Sequence, residues 1–224
     1  MKGEAKNTHL WIFDFDGTLS EIVPDRDAAV LHPLCKAVLQ GLASERYQAV
    51  AVLSSRQLDD LMLRINVPGL YLGGGSGIEW LTPDGRKHSF GKEFKKRLKM
   101  QRQGIIPEIK NLCTPRGIEL EDKHWSLTIH VRVASPDTKK STAEQLKVLA
   151  SHHAIALLRG PEAFEVSLVP EINKSFGIRK LCNFFKEMPG HVSMVYAGDN
   201  ENDAIAMQWV LEHGGIALSV GSAP

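Results

Sequence analysis

Short, predominantly apolar runs recur along the chain, and each is followed closely by polar residues. Three such runs are residues 10–13, 49–53 and 192–196. The polar residues that follow them are Asp14, Ser54 and Asp199. Apolar runs of this length, without alternating polar positions, are typical of strands buried on both faces of a parallel sheet. The pattern therefore predicts three buried strands, each leading into a residue capable of chemistry.

Amphipathic helical segments alternate with these predicted strands. Pro33, suited to a first helical turn, opens a segment whose apolar residues share one helical face: Leu34, Val38, Leu39 and Leu42. A helical pattern also runs through residues 202–212, and residues 216–220 predict one more strand. This alternation predicts an α/β fold with a doubly wound, mainly parallel sheet, in which ligands bind outside the carboxyl ends of the strands.

The middle of the chain has a different order of elements. It predicts a basic helix over residues 92–110, strands at 118–121 and 127–133, a helix opening at 135–136, and strands at 154–158 and 164–169. Helices followed by neighbouring strands indicate an α+β unit inserted into the first. We therefore expect a discontinuous catalytic core, residues 1–82 and 170–224, and an inserted α+β cap domain, residues 83–169.

Composition and charge narrow the class of protein. The 224 residues include 27 Lys and Arg and 26 Asp and Glu, so the two charges nearly balance. No overall electrostatic field therefore favours binding to nucleic acid or to a membrane surface. Three widely spaced cysteines without Cys-x-x-Cys spacing argue against a disulfide framework or structural zinc. The polar N-terminus lacks a secretory signal pattern, and no apolar run approaches the about 20 residues that cross a bilayer. We expect a cytoplasmic protein without nucleic-acid or membrane partners, and a monomer is favoured.

Asp14 and Asp16 form the first candidate for catalysis. They stand two positions apart, so in a strand both side chains leave on the same face. A turn or a helix cap explains an isolated pair of this kind about equally well. A carboxylate with an unperturbed pKa of about 3.9 is ionised at neutral pH, so Asp14 can attack phosphorus directly. Asp16 can protonate the leaving oxygen and later take a proton from water.

The predicted site collects more negative charge than it can hold unaided. Asp14, Asp199, Asp203 and a phosphate dianion need a counter-charge before they can assemble. Mg²⁺, a hard cation that binds through one or two carboxylates plus substrate phosphate, is the expected cofactor. Lys174 offers a further positive charge. Ser54 offers a hydroxyl and a backbone N–H to the phosphoryl oxygens.

In type and order these residues resemble the four motifs of the haloacid dehalogenase superfamily. The matching positions are Asp14–Leu19, Ser54, Lys174 and Gly198–Asp203. The resemblance implies that Asp14 is the nucleophile, that Asp16 is the general acid/base, and that Ser54 and Lys174 bind phosphate. The implied metal ligands are Asp14, Asp199, Asp203 and the backbone carbonyl of Asp16. The insertion resembles the superfamily's second type of cap, which covers the site and selects the substrate.

Further segments resemble trehalose-6-phosphate phosphatases. In the core they are Ser54-Ser55-Arg56, Gly69-Leu70-Tyr71, Gly77-Ile78-Glu79 and Pro83-Asp84-Gly85. In the inserted unit they are Glu121-Asp122-Lys123 with Ser126, His130 and Arg132, and Glu165, which lies nine residues before Lys174. The resemblance implies a sugar phosphate as substrate, trehalose 6-phosphate first among them. The implied substrate ligands are Ser54, Ser55, Arg56, Lys123, Ser126, His130, Arg132 and Glu165.

Alternatives stay open at this point. A solvated strand face explains His130 and Arg132 as well as substrate contact does. Ser55, Ser167 and Asn200 depart from the family's usual Gly, Arg and Asp, which leaves room for a sucrose-phosphate or glycosyl-3-phosphoglycerate phosphatase. The core motifs also fit a phosphosugar mutase. A pseudophosphatase regulatory module is the non-enzymatic alternative, and the intact set of core residues argues against it.

Overall fold

The chain forms two compact units. The computed structural model describes residues 7–23, 26–160, 162–186 and 191–221. One unit comprises the chain up to Phe90 together with the chain from Asn173, and the other is Gly91–Ile172. The first boundary lies later than the predicted residue 83, because the hairpin around that residue pairs with the sheet of the first unit. Residues 1–6, which form part of the N-terminus judged to lack a secretory signal, lie outside the described residues.

The described chain contains eleven strands and six α-helices. The strands are β1 (Thr8–Phe13), β2 (Gln48–Leu53), β3 (Tyr71–Gly74), β4 (Glu79–Leu81), β5 (Lys87–Ser89), β6 (Glu119–Asp122), β7 (Ser126–His130), β8 (Ala156–Arg159), β9 (Ala163–Ser167), β10 (Val192–Gly198) and β11 (Ile216–Ser219). The helices are α1 (Pro33–Ser44), α2 (Leu58–Arg64), α3 (Lys95–Leu112), α4 (Pro136–His152), α5 (Lys174–Asn183) and α6 (Glu201–Glu212). Among the described helices, none combines the length and apolarity needed to cross a bilayer.

The first unit is built on a seven-stranded sheet with the order β11-β10-β1-β2-β3-β4-β5. The strands from β11 to β3 are parallel, and β4 and β5 extend the sheet antiparallel. Leu10 and Ile12 of β1 pack with residues of α5 and α6, whereas Val50 and Val52 of β2 pack with residues of α1 and α2. Helices therefore cover both faces, which confirms the predicted α/β fold with a mainly parallel sheet.

The second unit holds a four-stranded antiparallel sheet with the order β6-β7-β9-β8, together with α3 and α4. Leu127 and Ile129 of β7 are paired in register with Val166 and Phe164 of β9, and all four side chains are buried. Because side chains alternate along a strand, the residues between them share the opposite face. This leaves one apolar and one polar face on the two central strands.

β7 is shorter than the sequence predicted. It ends at His130, and Arg132 lies in the turn that follows, where it is exposed. The prediction of a strand through residue 133 is therefore wrong, and His130 and Arg132 do not alternate along one strand. Val131 is buried, but its N–H bonds to the carbonyl of Glu162 rather than to the ladder of β9.

Candidate active site

Three neighbouring parallel strands end at the candidate site. β1 pairs with β10 on one side and with β2 on the other, so their carboxyl ends lie at one edge of the sheet. Asp14 follows β1, Ser54 follows β2 and Asp199 follows β10. This edge is where open α/β sheets bind their ligands. The strand ends thus bring residues from both ends of the sequence to one place.

An acidic cluster occupies this edge. Asp14, Asp199 and Asp203 each offer a carboxylate oxygen, and the three oxygens lie within 4.8 Å of one another. Asp14 and Asp203 are buried, and Asp199 is half-buried. Lys174, the first residue of α5, places its Nζ 2.7 Å from Asp14 Oδ1 and 2.6 Å from Asp203 Oδ1. The lysine therefore joins two of the three acids by buried ion pairs.

The carboxylate of Asp203 is held by the fold itself. The Tyr196 hydroxyl donates a hydrogen bond to its Oδ1 at 2.5 Å. The backbone N–H groups of Asp199 and Asn200 donate to its Oδ2 at 3.3 and 3.2 Å, the second bond being part of the capping box of α6. Sequence reasoning missed Tyr196. The signal was a tyrosine within an apolar strand, because a buried phenol needs a hydrogen-bond partner.

Burial and crowding shift the pKa values of these groups. Burial raises the pKa of Asp14 to about 7, although Lys174 lowers it in part, and Asp203 adds to the rise. Burial, then the neighbouring Asp203, raises the pKa of Asp199. Burial alone would lower the pKa of Lys174, but its two carboxylate partners raise it. In the absence of a further cation, Asp14 is less fully ionised at neutral pH than its unperturbed pKa implied.

Two glycines allow the close approach of the acidic loops. Gly17 has φ +83°, and a Cβ there would lie 2.1 Å from Asp199 Oδ2. A Cβ at Gly198 would lie 2.4 Å from Asp203 Cγ. Real Cβ atoms do not approach other atoms this closely, so neither position accepts a side chain without movement of an acid. The backbone after Asp16 thus packs directly against the Asp199 carboxylate.

Ser54 is fully buried and is fixed by its backbone. Its N–H donates to the carbonyl of Gly73 at 2.9 Å, and its own carbonyl accepts from the Ser76 N–H. The prediction that this N–H donates to the phosphoryl oxygens is therefore wrong, because it already donates to a carbonyl of β3. The Ser54 hydroxyl oxygen accepts from the Arg56 N–H at 3.1 Å, which leaves its own proton to donate. Ser55 lies in the bend that follows.

Arg56 is paired with two acids. Its side chain is 1% exposed, with Nη2 2.7 Å from Asp16 Oδ1 and Nη1 2.9 Å from Asp60 Oδ2. Burial alone would lower the pKa of Arg56, but hydrogen bonds to these carboxylates raise it. This placement does not fit the prediction that Arg56 binds substrate. Sequence reasoning also missed Asp60, although the spacing of Arg56, Asp60 and Arg64 is that of helical ion pairs.

The remaining predicted substrate ligands lie in the second unit. Ser126, His130 and Glu165 lie on β7 and β9, and Lys123 lies in the turn between β6 and β7. The register places Thr128 opposite both Glu121 and Glu165, so these residues form a row across three strands. His130 Nε2 lies 3.2 Å from Glu121 Oε2. Thr128 is buried, and its hydroxyl makes no hydrogen bond with a described residue.

Comparison with known proteins identifies the family. A mainly parallel sheet with acids at its carboxyl edge, together with a separate α+β unit, is the arrangement that the resemblance to the haloacid dehalogenase superfamily predicted. The sequence profile described as "Trehalose-phosphatase" matches residues 12–224. The chain belongs to the trehalose-phosphatase family, as its motifs predicted.

Individual relatives agree with this assignment. The trehalose-phosphate phosphatase of Mycobacterium tuberculosis is 32% identical over 206 residues, which cover 90% of this chain and 51% of the relative. The chain thus spans about half the length of the curated relatives it matches. The C-terminal domain of Candida albicans trehalose-6-phosphate phosphatase superposes with a TM-score of 0.70 at 21% identity, covering 92% of this chain and 74% of that one. A trehalose-6-phosphate phosphatase related protein gives a TM-score of 0.71 at 15% identity, with 96% and 87% covered.

Proposed function

We propose that this protein is a Mg²⁺-dependent phosphatase that hydrolyses trehalose 6-phosphate through an aspartyl-phosphate on Asp14. The observation that carries the proposal is the ion-paired group Asp14–Lys174–Asp203 beside Asp199, at the carboxyl edge of the sheet of a trehalose-phosphatase family member. The family profile matches residues 12–224, a range that contains all these residues.

The acidic cluster fits a divalent cation. Lys174 balances one of its three carboxylate charges, and the oxygens lie within 4.8 Å, near the roughly 4 Å that separates oxygens across Mg²⁺. Asp203 already accepts bonds at both oxygens, so Asp14, Asp199 and the Asp16 carbonyl are the better direct ligands. A divalent cation held by these residues would neutralise the crowded acids and the phosphate, and it would favour the ionised form of Asp14.

In the first half of the reaction, Asp14 acts as the nucleophile. A carboxylate oxygen of Asp14 forms a bond to phosphorus, and the bond between phosphorus and the sugar oxygen breaks. Asp16 gives a proton to that leaving oxygen, which departs as the sugar hydroxyl. The Lys174 ammonium and the Ser54 hydroxyl bind the phosphoryl oxygens and stabilise the charge that develops there.

In the second half, water releases the phosphate. Asp16, now a carboxylate, accepts a proton from water as the water oxygen bonds to phosphorus. The bond between phosphorus and the Asp14 oxygen breaks, which frees inorganic phosphate and restores the Asp14 carboxylate. Both aspartates return to their starting state, so the cycle balances without any further reactant.

The polar row of the second unit supports a sugar as the leaving group. Glu121, Thr128 and Glu165 offer two carboxylates and a hydroxyl side by side across three strands. Sugar hydroxyls suit such partners, because a hydrogen bond to a charged group contributes about 1.5–3 kcal/mol. Lys123 and His130 belong to the same proposed surface, and Thr128 joins it because its buried hydroxyl makes no bond with a described residue.

Phosphate release tests the proposal. The purified protein with Mg²⁺ is offered trehalose 6-phosphate, sucrose 6-phosphate, glucosyl-3-phosphoglycerate and hexose phosphates. We expect the highest kcat/KM for trehalose 6-phosphate, loss of turnover in EDTA, and recovery when Mg²⁺ is restored. Preference for another sugar phosphate would remove the substrate assignment and keep the chemistry. No phosphate release from any of them would remove both.

A further inference from the structure

A network of ion pairs, built around the buried Arg56, leads away from Asp16. The Arg56 Nε donates to Asp16 Oδ2 at 2.8 Å and Nη2 donates to Asp16 Oδ1 at 2.7 Å, so the guanidinium grips both carboxylate oxygens. Asp16 is 38% exposed and Arg56 is 1% exposed. A buried, planar fork of donors thus holds an acid that itself remains open to solvent and ligands.

The backbone and surroundings of Arg56 fix its position. Its N–H donates to the Ser54 hydroxyl at 3.1 Å, and its carbonyl accepts from the Gly75 N–H at 2.6 Å. Its guanidinium carbon lies 5.5 Å from the centre of the Phe15 ring, within the range of a cation–π contact. The residue is therefore held by Ser54 after β2, by the loop after β3 and by the ring of Phe15.

A second carboxylate holds the far side of the guanidinium. Asp60 Oδ2 lies 2.9 Å from Arg56 Nη1, and Asp60 Oδ1 accepts from Arg64 Nε at 2.9 Å. Arg64 in turn donates to the carbonyl of Ala29 at 2.6 Å. The network runs from Asp16 through α2 to the segment before α1. Charged groups that alternate in sign and share hydrogen bonds restrict one another's rotamers.

We propose that Arg56 is a positioning residue that holds the Asp16 carboxylate where it takes the proton from the attacking water. This inference rests on the proposed function, and it replaces the role of Arg56 as a substrate ligand. A base works only within hydrogen-bond reach of the proton that it accepts. A short, half-exposed side chain after a strand samples several rotamers, and the fixed fork of Arg56 selects one.

The two roles predict different kinetics. A residue that orients the base acts on hydrolysis of the phosphoenzyme, whereas a substrate ligand acts before phosphorus is attacked. p-Nitrophenyl phosphate separates these steps, because its leaving group departs without needing a proton from Asp16. Slower hydrolysis of the phosphoenzyme lowers kcat and KM together and leaves kcat/KM unchanged. Weaker substrate binding lowers kcat/KM.

The test compares three variants by stopped-flow absorbance with p-nitrophenyl phosphate and Mg²⁺. Arg56→Lys keeps the positive charge but removes the pair of donors that binds both oxygens of Asp16. Asp60→Asn weakens the ion pair that holds the opposite side of the Arg56 guanidinium. Asp59→Asn is the matched control, since Asp59 is adjacent on α2 and pairs with the exposed Lys87. We expect Arg56→Lys to release one nitrophenolate per protein rapidly and then turn over about 100-fold more slowly than wild type. Asp60→Asn is expected to change in the same direction by about 10-fold, and Asp59→Asn to match wild type.

The outcomes separate the proposals. A lower kcat/KM for Arg56→Lys, with a slowed first turnover, would make Arg56 a substrate ligand. Unchanged steady-state turnover in Arg56→Lys would show that Asp16 needs no such support. If Arg56→Lys does not fold, as judged by circular dichroism, Asp60→Asn decides, and equality with Asp59→Asn overturns the inference. Full turnover in Asp14→Asn contradicts the proposed function instead, whatever Arg56 does.

Discussion

Asp14 lies beside the Lys174 ammonium, yet burial raises its pKa to about 7. The physical cause is the loss of water around a charge that Lys174 shares with Asp203. The buried Asp14 carboxylate lowers the stability of the folded protein. It is useful for catalysis because a cation or a phosphate ester at the site readily changes its ionisation. The Tyr196 hydroxyl and the backbone N–H of Asn200, which precedes α6, instead hold Asp203 as a fixed acceptor.

The raised pKa of Asp14 has a consequence for stability. The unfolded pKa is near 3.8 and the folded pKa is about 7, so the carboxyl ionises more readily in the unfolded state. Stability of the metal-free protein should therefore fall as the pH rises from about 4 to about 7. The Asp14→Asn variant has no ionisable group at this position, so this fall in stability with rising pH should be absent. In EDTA at pH 7.5 we expect its Tm to exceed that of wild type by roughly 5 °C, with a smaller difference at pH 5.

Differential scanning fluorimetry of the two proteins measures this difference, with Asp59→Asn as the exposed control. A lower Tm for Asp14→Asn at both pH values would show that the lost Lys174 ion pair outweighs the relief of crowding.

At the scale of elements, the site is formed by residues at the ends of strands and helices and not by residues on their faces. β10, β1 and β2 deliver Asp199, Asp14 and Ser54 at their carboxyl ends, and α5 begins with Lys174. Because the strands are parallel neighbours, the distance between their ends is set by the sheet and does not depend on long side chains. The loops that join these ends to the helices must then pass very close to the acids, and Gly17 and Gly198 permit this.

A pair of glycine substitutions tests this close approach. Gly17 and Gly85 have nearly the same φ, +83° and +81°, but a Cβ at Gly17 meets Asp199 whereas a Cβ at Gly85 meets nothing within 4 Å. Replacement by Ala costs each about 1–2 kcal/mol of backbone strain. We expect Tm to fall in both variants, and to fall further in Gly17→Ala because Asp199 must also move. Turnover should be reduced about 100-fold in Gly17→Ala and unchanged in Gly85→Ala. Equal turnover in both variants would show that Asp199 moves aside without cost.

At the scale of the whole molecule, the sequence predicted most parallel strands of the core and the four strands of the second unit, but it did not predict the antiparallel strands β4 and β5. Apolar runs bounded by polar residues located β1, β2 and β10, because a strand buried on both faces has few alternatives. β5, Lys87–Ser89, has no apolar pattern and exists only because β4 pairs with it. Its pairing also explains why the structural boundary lies at residue 90 and not at 82.

The candidate site divides in the same way. The acids at strand ends were predictable, since their positions follow from the sheet. The Arg56 ion pairs were not assigned, because a buried arginine and an exposed one look alike in a sequence until the partners Asp16 and Asp60 are placed. The N–H of Ser54 was misjudged for a related reason: its partner on β3 comes from a pairing formed across the sheet.

The central claim is that Asp14 becomes covalently phosphorylated. Asp16→Asn keeps this nucleophile and removes the base that hydrolyses the intermediate, so the variant should accumulate it with p-nitrophenyl phosphate and Mg²⁺. After acid quenching, intact-mass analysis should find one added phosphoryl group. Borohydride reduction and peptide sequencing should then find homoserine at position 14. An unmodified chain, or a phosphoryl group on any other residue, would contradict the account.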